Sequence, residues 1–224
     1  MLKIKKMLGI GLLGGMVLAS GAFAEPPVAL SGDVSVVSDY VWRGQLCDDD
    51  PSLQTGIYAS AFNLSLSLWS SYPLNSNDSV DCEEVDYTIE YGKSLGLVSL
   101  AGGYVYYDFP NNGSAYATEL YVKAGADIIA SPSLTYYYDF TDSSNTKSYI
   151  SIDGSYGIGS LSLGGHIGFY SDDQGSDIGL TAGYEIKLPS SALTPSVSYS
   201  IPCGNLADTQ DSKLYAGVKL GFGL

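Results

Sequence analysis

The sequence predicts an all-β fold, a closed antiparallel transmembrane β-barrel of about twelve strands. Three observations carry this. Apolar and polar residues alternate with a period of two through nearly the whole chain, and no helical period of any length accompanies them. Long polar connections alternate with very short ones. Charged residues make up only 15% of the chain, while Gly (27) and Tyr (19) are abundant without low-complexity tracts, a composition that suits bent strands carrying interfacial aromatics.

The first 24 residues read as a secretory signal peptide. Lys3, Lys5 and Lys6 give a basic start, residues 7–18 are apolar, and Ala22-Phe23-Ala24 is a small-x-small cleavage pattern. The apolar run is too short for a spanning helix. One domain, residues 25–224, follows. Loss of the three lysines takes the formal net charge from −14 to −17. That balance argues against nucleic acid and against a basic membrane-binding patch, and it favours cations as partners.

The mature chain opens on Val34, Val36, Tyr40 and Trp42 on one parity, with Asp33, Ser35, Asp39 and Arg43 on the other. Successive side chains of a strand point to opposite faces, so one face is apolar and the other polar. Leu64, Leu66 and Leu68 repeat the pattern, as do Val85, Tyr87, Ile89 and Tyr91 against Glu84, Asp86, Thr88 and Glu90. Val98, Leu100, Tyr104 and Tyr106 share the next apolar face. Thr118, Leu120, Val122 and Ala124 then oppose Glu119, Tyr121, Lys123 and Asp127. In the second half, Leu134, Tyr136, Tyr138 and Phe140 are followed by Ile150, Ile152 and Tyr156, then by Leu161, Leu163, Ile167 and Phe169. Ile178, Leu180, Ala182, Tyr184 and Ile186 lead to Val197, Tyr199 and Ile201. The last face is Leu214, Ala216, Val218, Leu220, Phe222 and Leu224.

With the strands numbered in order, odd-to-even connections are long (residues 44–52, 72–82, 107–115, 140–147, 170–176 and 202–212). Even-to-odd ones are short, such as Phe62-Asn63 and residues 94–96, 157–159 and 189–191. This is the asymmetry of an outer-membrane barrel, with long loops outside and both termini on the periplasmic side. Closure is required because lipid offers no partner to an open sheet edge. Tyr40, Trp42, Tyr72, Tyr106, Tyr138, Phe140 and Phe169 are expected as an aromatic girdle near the long-loop end.

The polar parity then lines the lumen, where acids outnumber bases. Asp39, Arg43, Glu90, Glu119, Lys123 and Glu185 are the expected pore-lining residues, and a carboxylate-rich lumen favours cations. No catalytic or metal constellation emerges, and no cofactor is expected. His166 has Gly168 rather than Ser at i+2 on its face, which reads as a lumen hydrogen-bonding group rather than a hydrolase base. Asp48-Asp49-Asp50 and Asp172-Asp173 lack calcium-loop spacing and read as solvated acidic loops. Cys47, Cys82 and Cys203 all fall in long loops at one end. A disulfide is expected in an oxidising compartment, with Cys47–Cys203 and Cys47–Cys82 both open as pairings.

The segment Ser38-Asp39-Tyr40-Val41-Trp42-Arg43-Gly44, followed by Asp49-Asp50-Pro51-Ser52-Leu53-Gln54, resembles the N-terminal motif of the TorF-like porins of Gram-negative bacteria. The resemblance implies an outer-membrane barrel of porin type. Its surroundings would be outer-membrane lipid and lipopolysaccharide, with the barrel-assembly machinery met during biogenesis. Together, residues and resemblance point to a non-enzymatic channel for passive passage of small hydrophilic solutes, weakly preferring cations. The alternative is a non-conducting barrel that acts through its extracellular loops.

Overall fold

The computed structural model describes residues 28–75, 83–112, 115–171 and 173–223, so the expected signal peptide, residues 1–24, lies outside the described residues. The strands are β1 (Ala29–Val37), β2 (Tyr40–Trp42), β3 (Gln45–Asp48), β4 (Ser52–Ala61), β5 (Leu64–Pro73), β6 (Glu84–Leu95), β7 (Val98–Asp108) and β8 (Tyr116–Ala126). They continue as β9 (Ser133–Asp139), β10 (Lys147–Ile158), β11 (Leu161–Tyr170), β12 (Ser176–Tyr184), β13 (Ile186–Lys187), β14 (Ser191–Cys203) and β15 (Lys213–Gly223).

Each wall strand pairs antiparallel with its neighbours around a closed ring. The order runs from β1 through β4 and onward to β12, then β14 and β15, with β15 pairing back onto β1. β13 resumes the line of β12 after Glu185 and pairs with the same neighbour, β14. The wall therefore has twelve strands. β2 and β3 are not part of it. They form a separate two-stranded hairpin within the connection from β1 to β4.

Register fixes which parity faces out. Leu66 lies opposite Ile89 and Leu68 opposite Tyr87, and all four are exposed on the outer surface. Their neighbours Ser65, Ser67, Thr88 and Glu90 point inward. Val34, Ile57, Leu120, Ile152, Leu180, Val197 and Val218 continue the exposed apolar band around the ring. In water such a band would be a very large unsatisfied apolar patch, whereas in a bilayer it is the solvated face. Tyr72, Tyr138 and Phe169 are exposed near the long-loop end, where Tyr106 stacks on Tyr116 with ring centroids 5.7 Å apart. This belongs to the expected girdle.

At the short-turn end the connections are tight except for residues 127–132 between β8 and β9. Phe62 and Asn63 have φ of 52° and 68°, the backbone of a two-residue hairpin turn whose twist matches that of the strands it joins. The long connections all lie at the opposite end.

One stability prediction follows from register alone. Ile152→Arg, near the middle of β10 on the outer face, is expected to cost about 2–4 kcal/mol, while Thr88→Arg on the inward parity of β6 costs far less. Denaturant titration of protein folded into lipid vesicles measures both, and equal losses would overturn the assignment of faces.

Candidate lumen site

The lumen is crossed by the first long connection. β1 ends at Val37, earlier than the alternation of the sequence predicts, because Ser38 and Asp39 bend the chain inward. The Ser38 hydroxyl donates to Asp39 and accepts from the Ala216 N–H (3.0 Å), and Asp39 pairs with Lys213 on β15 at 2.7 Å. Beyond the bend, β2 and β3 meet in a tight hairpin with Arg43 and Gly44 at its tip. Both tip residues have positive φ, 49° and 78°, which a two-residue turn of this hand requires and which glycine adopts without strain.

Tyr40 and Trp42, expected in the girdle, therefore sit inside the barrel rather than against lipid. Alternation extrapolates only while the strand continues, and the bend at Ser38-Asp39 resets it. Tyr40 is buried, donates to Glu84 on β6 at 2.7 Å and packs on the Trp69 ring of β5. Trp42 meets Tyr107 of β7 edge-on, with centroids 6.2 Å apart.

Arg43 reaches furthest across. Its two terminal nitrogens donate to the two carboxylate oxygens of Glu119 on β8 at 2.7 and 2.8 Å, a bidentate pair with side chains 3% and 6% exposed. Tyr107 donates to the same carboxylate at 2.8 Å. The guanidinium carbon lies 4.2 Å from the ring centroids of both Trp42 and Tyr137 and 4.4 Å from that of Tyr149. A planar cation is thus held by three aromatic faces and a carboxylate. Arg43 Nε has no hydrogen-bond partner among the described residues.

The rest of the tip is seated just as closely. Tyr170 on β11 donates to the Arg43 carbonyl at 2.8 Å and accepts from Gln45 at 2.7 Å, and the Leu46 N–H donates to Gln210 at 3.0 Å. A Cβ at Gly44 would stand 2.5 Å from Asp177 Cβ and 2.9 Å from Leu206, so only glycine fits this seat. Asp177 is fully buried, accepts from Tyr149 at 2.9 Å and is paired with His166. His166 is thus tied to a carboxylate on the lumen wall. Asp48 anchors the base of the hairpin, accepting from the Ser52 hydroxyl and the Asp50 N–H. Asp48, Asp49 and Asp50 bring their carboxylates within 4.8 Å of one another. Asp172 lies outside the described residues.

The six expected pore-lining residues separate. Asp39, Arg43 and Glu119 belong to the seated hairpin and its wall. Glu90 lies deeper, accepting from Tyr121 at 2.6 Å. Lys123 is half-buried on the face of β8 that carries Glu119. Glu185 stands near the short-turn end, 3.5 Å from Lys187. Among the cysteines, Cys203 is in no disulfide and its thiol faces the Ile201 carbonyl. Cys47 Sγ lies 3.9 Å from the Gln45 carbonyl, and Cys82 is outside the described residues.

The inward tyrosines are the part of the site that sequence reasoning passed over. Tyr121, Tyr137, Tyr149 and Tyr170 form a continuous arc, with successive centroids 5.5, 6.1 and 4.9 Å apart. Glycine on the neighbouring strand makes room for such rings to lie against the wall. A Cβ at Gly103 would meet the Tyr121 ring at 2.5 Å, and one at Gly168 would overlap the Tyr149 hydroxyl oxygen. Parity was the available signal, since Tyr121 alternates with Leu120 and Val122 and shares its face with Glu119 and Lys123.

No family model matches the chain, and no curated protein matches it. Solved structures do. A porin described as NanC superposes with a TM-score of 0.60 at 13% identity, covering 86% of this chain and 100% of that one. The COG4313 outer membrane channel from Pseudomonas putida F1 gives a TM-score of 0.53 at 12% identity, over 93% of this chain and 100% of that one. At these identities the likeness is one of fold, and the fold is that of outer-membrane barrels.

Proposed function

We propose that the chain is a Gram-negative outer-membrane channel for passive passage of small hydrophilic solutes, weakly preferring cations, in which the hairpin of the first long loop forms the constriction. In this reading residues 1–24 direct export, the long loops face outward, and lipid and lipopolysaccharide surround the apolar band. The barrel-assembly machinery inserts it, and the TorF-like porins are its relatives. The observation that carries the reading is a closed barrel with an apolar exterior whose polar interior is spanned by one hydrogen-bonded hairpin. A hairpin held by side-chain contacts, rather than built into the wall, can yield space. Glu84, Asp86, Glu90 and Glu119 on the lumen wall support the cation preference.

The test is single-channel conductance of refolded protein in planar bilayers, with reversal potential under a salt gradient. Discrete steps with cation preference are expected, and Glu90→Gln should move the reversal potential toward zero. Steps with anion preference would overturn the selectivity. The close seating of the hairpin favours one second reading, a non-conducting barrel that works through its extracellular loops. A folded, heat-modifiable barrel that never conducts would overturn the channel and favour this second reading.

A further inference from the structure

The geometry around Arg43 points to a lumen binding site for a guanidinium-type cation, which the chain's own Arg43 occupies in the seated state. Most of that site belongs to the wall and not to the hairpin. Glu119, Tyr137 and Tyr149 stand on β8, β9 and β10. Other wall residues hold them: Tyr107 donates to the Glu119 carboxylate at 2.8 Å, Asp177 accepts from the Tyr149 hydroxyl at 2.9 Å, and the Tyr137 ring packs between those of Tyr121 and Tyr149. The arrangement therefore exists independently of the arginine that fills it.

Its chemistry is selective. Two carboxylate oxygens at 2.7 and 2.8 Å accept a planar two-pronged donor. The aromatic faces at 4.2 and 4.4 Å suit a flat, delocalised, weakly hydrated cation better than a compact ammonium. A solute carrying a guanidinium group meets the same partners as Arg43 and competes with it. The tethered arginine has the advantage of high effective concentration, so a free competitor is weak in the native chain and strong once Arg43 is truncated. Trp42 remains beside the vacancy, because Tyr40, Gln45 and Asp39 hold the hairpin through other bonds. This deepens the channel reading by naming a solute class, although the site itself does not depend on conduction.

The experiment uses the Arg43→Ala protein, folded in detergent and in planar bilayers. Guanidinium and methylguanidinium chloride are titrated at low millimolar concentration against sodium chloride and methylammonium chloride of equal ionic strength. The two tryptophans of the chain, Trp42 and Trp69, report binding by fluorescence, and Trp42 lines the vacancy. Saturable, guanidinium-specific fluorescence change is expected. It should weaken about tenfold when Glu119→Gln is added, the loss typical of one charge-assisted pair, and it should appear in the native chain only at much higher concentration. In bilayers the same salts should lower the conductance of the variant toward that of the native chain. A response that does not saturate, is matched by methylammonium, or is unmoved by Glu119→Gln overturns the site. Saturable fluorescence without any conductance sinks the channel reading and leaves the site standing. Conductance without specific binding does the reverse. Arg43→Gln, which keeps more of the side chain's bulk, serves as a second variant if the alanine protein does not show heat-modifiable migration.

Discussion

Replacing residues 40–48 with a short glycine-serine linker is expected to raise unit conductance severalfold and to reduce current fluctuation. A twelve-stranded wall lies between eight-stranded barrels, filled by their own side chains, and the sixteen-stranded barrels that hold an aqueous channel. Whether such a lumen passes solute depends on what occupies it, and among the described residues the hairpin of the first long connection spans it. Its contacts reach every wall strand from β5 to β11, and Asp39 just before it pairs with β15. Taking it away leaves every wall ladder intact, so the folded barrel and its heat-modifiable migration should be retained. Unchanged conductance would show that the constriction lies elsewhere, with Glu90, Tyr121 and Lys123 the next candidates along the lumen.

The second large effect is expected from Glu119→Ala. The substitution leaves a buried guanidinium without its carboxylate, a loss of about 3–5 kcal/mol for the seated state. The hairpin can avoid that loss by leaving the lumen, which exposes Arg43 to solvent. Arg43 is the only basic residue between Lys6 and Lys93, so trypsin cleavage between Arg43 and Gly44 reports the unseated population directly. When opening is fast relative to cleavage, cleavage at this bond should rise on the order of a hundredfold or more. The fragment ending at Arg43 is read by mass spectrometry of detergent-folded protein. No increase would show that an unpaired guanidinium does not unseat the hairpin against its other bonds.

The wall was legible in the sequence because lipid imposes a single strict rule on it. Every second residue of a spanning strand must be apolar, and connections must alternate between the two ends. Val85 to Tyr91 and Leu214 to Phe222 display that rule without interruption. The lumen obeys no comparable rule. A tyrosine there satisfies the same composition as one in a girdle, and only its parity tells the two apart, as with Tyr121 against Leu120. The hairpin escaped for a different reason. Tyr40 and Trp42 fall on the parity of Val34 and Val36 with only Ser38 interrupting it, so alternation carries across the bend at Ser38-Asp39. Arg43-Gly44 at the centre of a two-residue turn was the available sign, and the weak turn preference of arginine obscured it.

The contacts that seat the hairpin join residues far apart in the chain. Arg43 and Glu119 are 76 residues apart, Gln45 and Tyr170 125, Leu46 and Gln210 164, and Ser38 and Ala216 178. The wall, by contrast, zips largely between strands adjacent in sequence, and only the β1–β15 seam joins its two ends. Contacts of long sequence separation form after local ones, because the loops they close cost entropy before the contacts repay it. The last strand must also be present before Asp39 can find Lys213. The seam itself joins residues as distant as Ser31 and Gly223, further apart than Arg43 and Glu119, so ring closure and the final tie of the hairpin at Asp39–Lys213 are one coupled event.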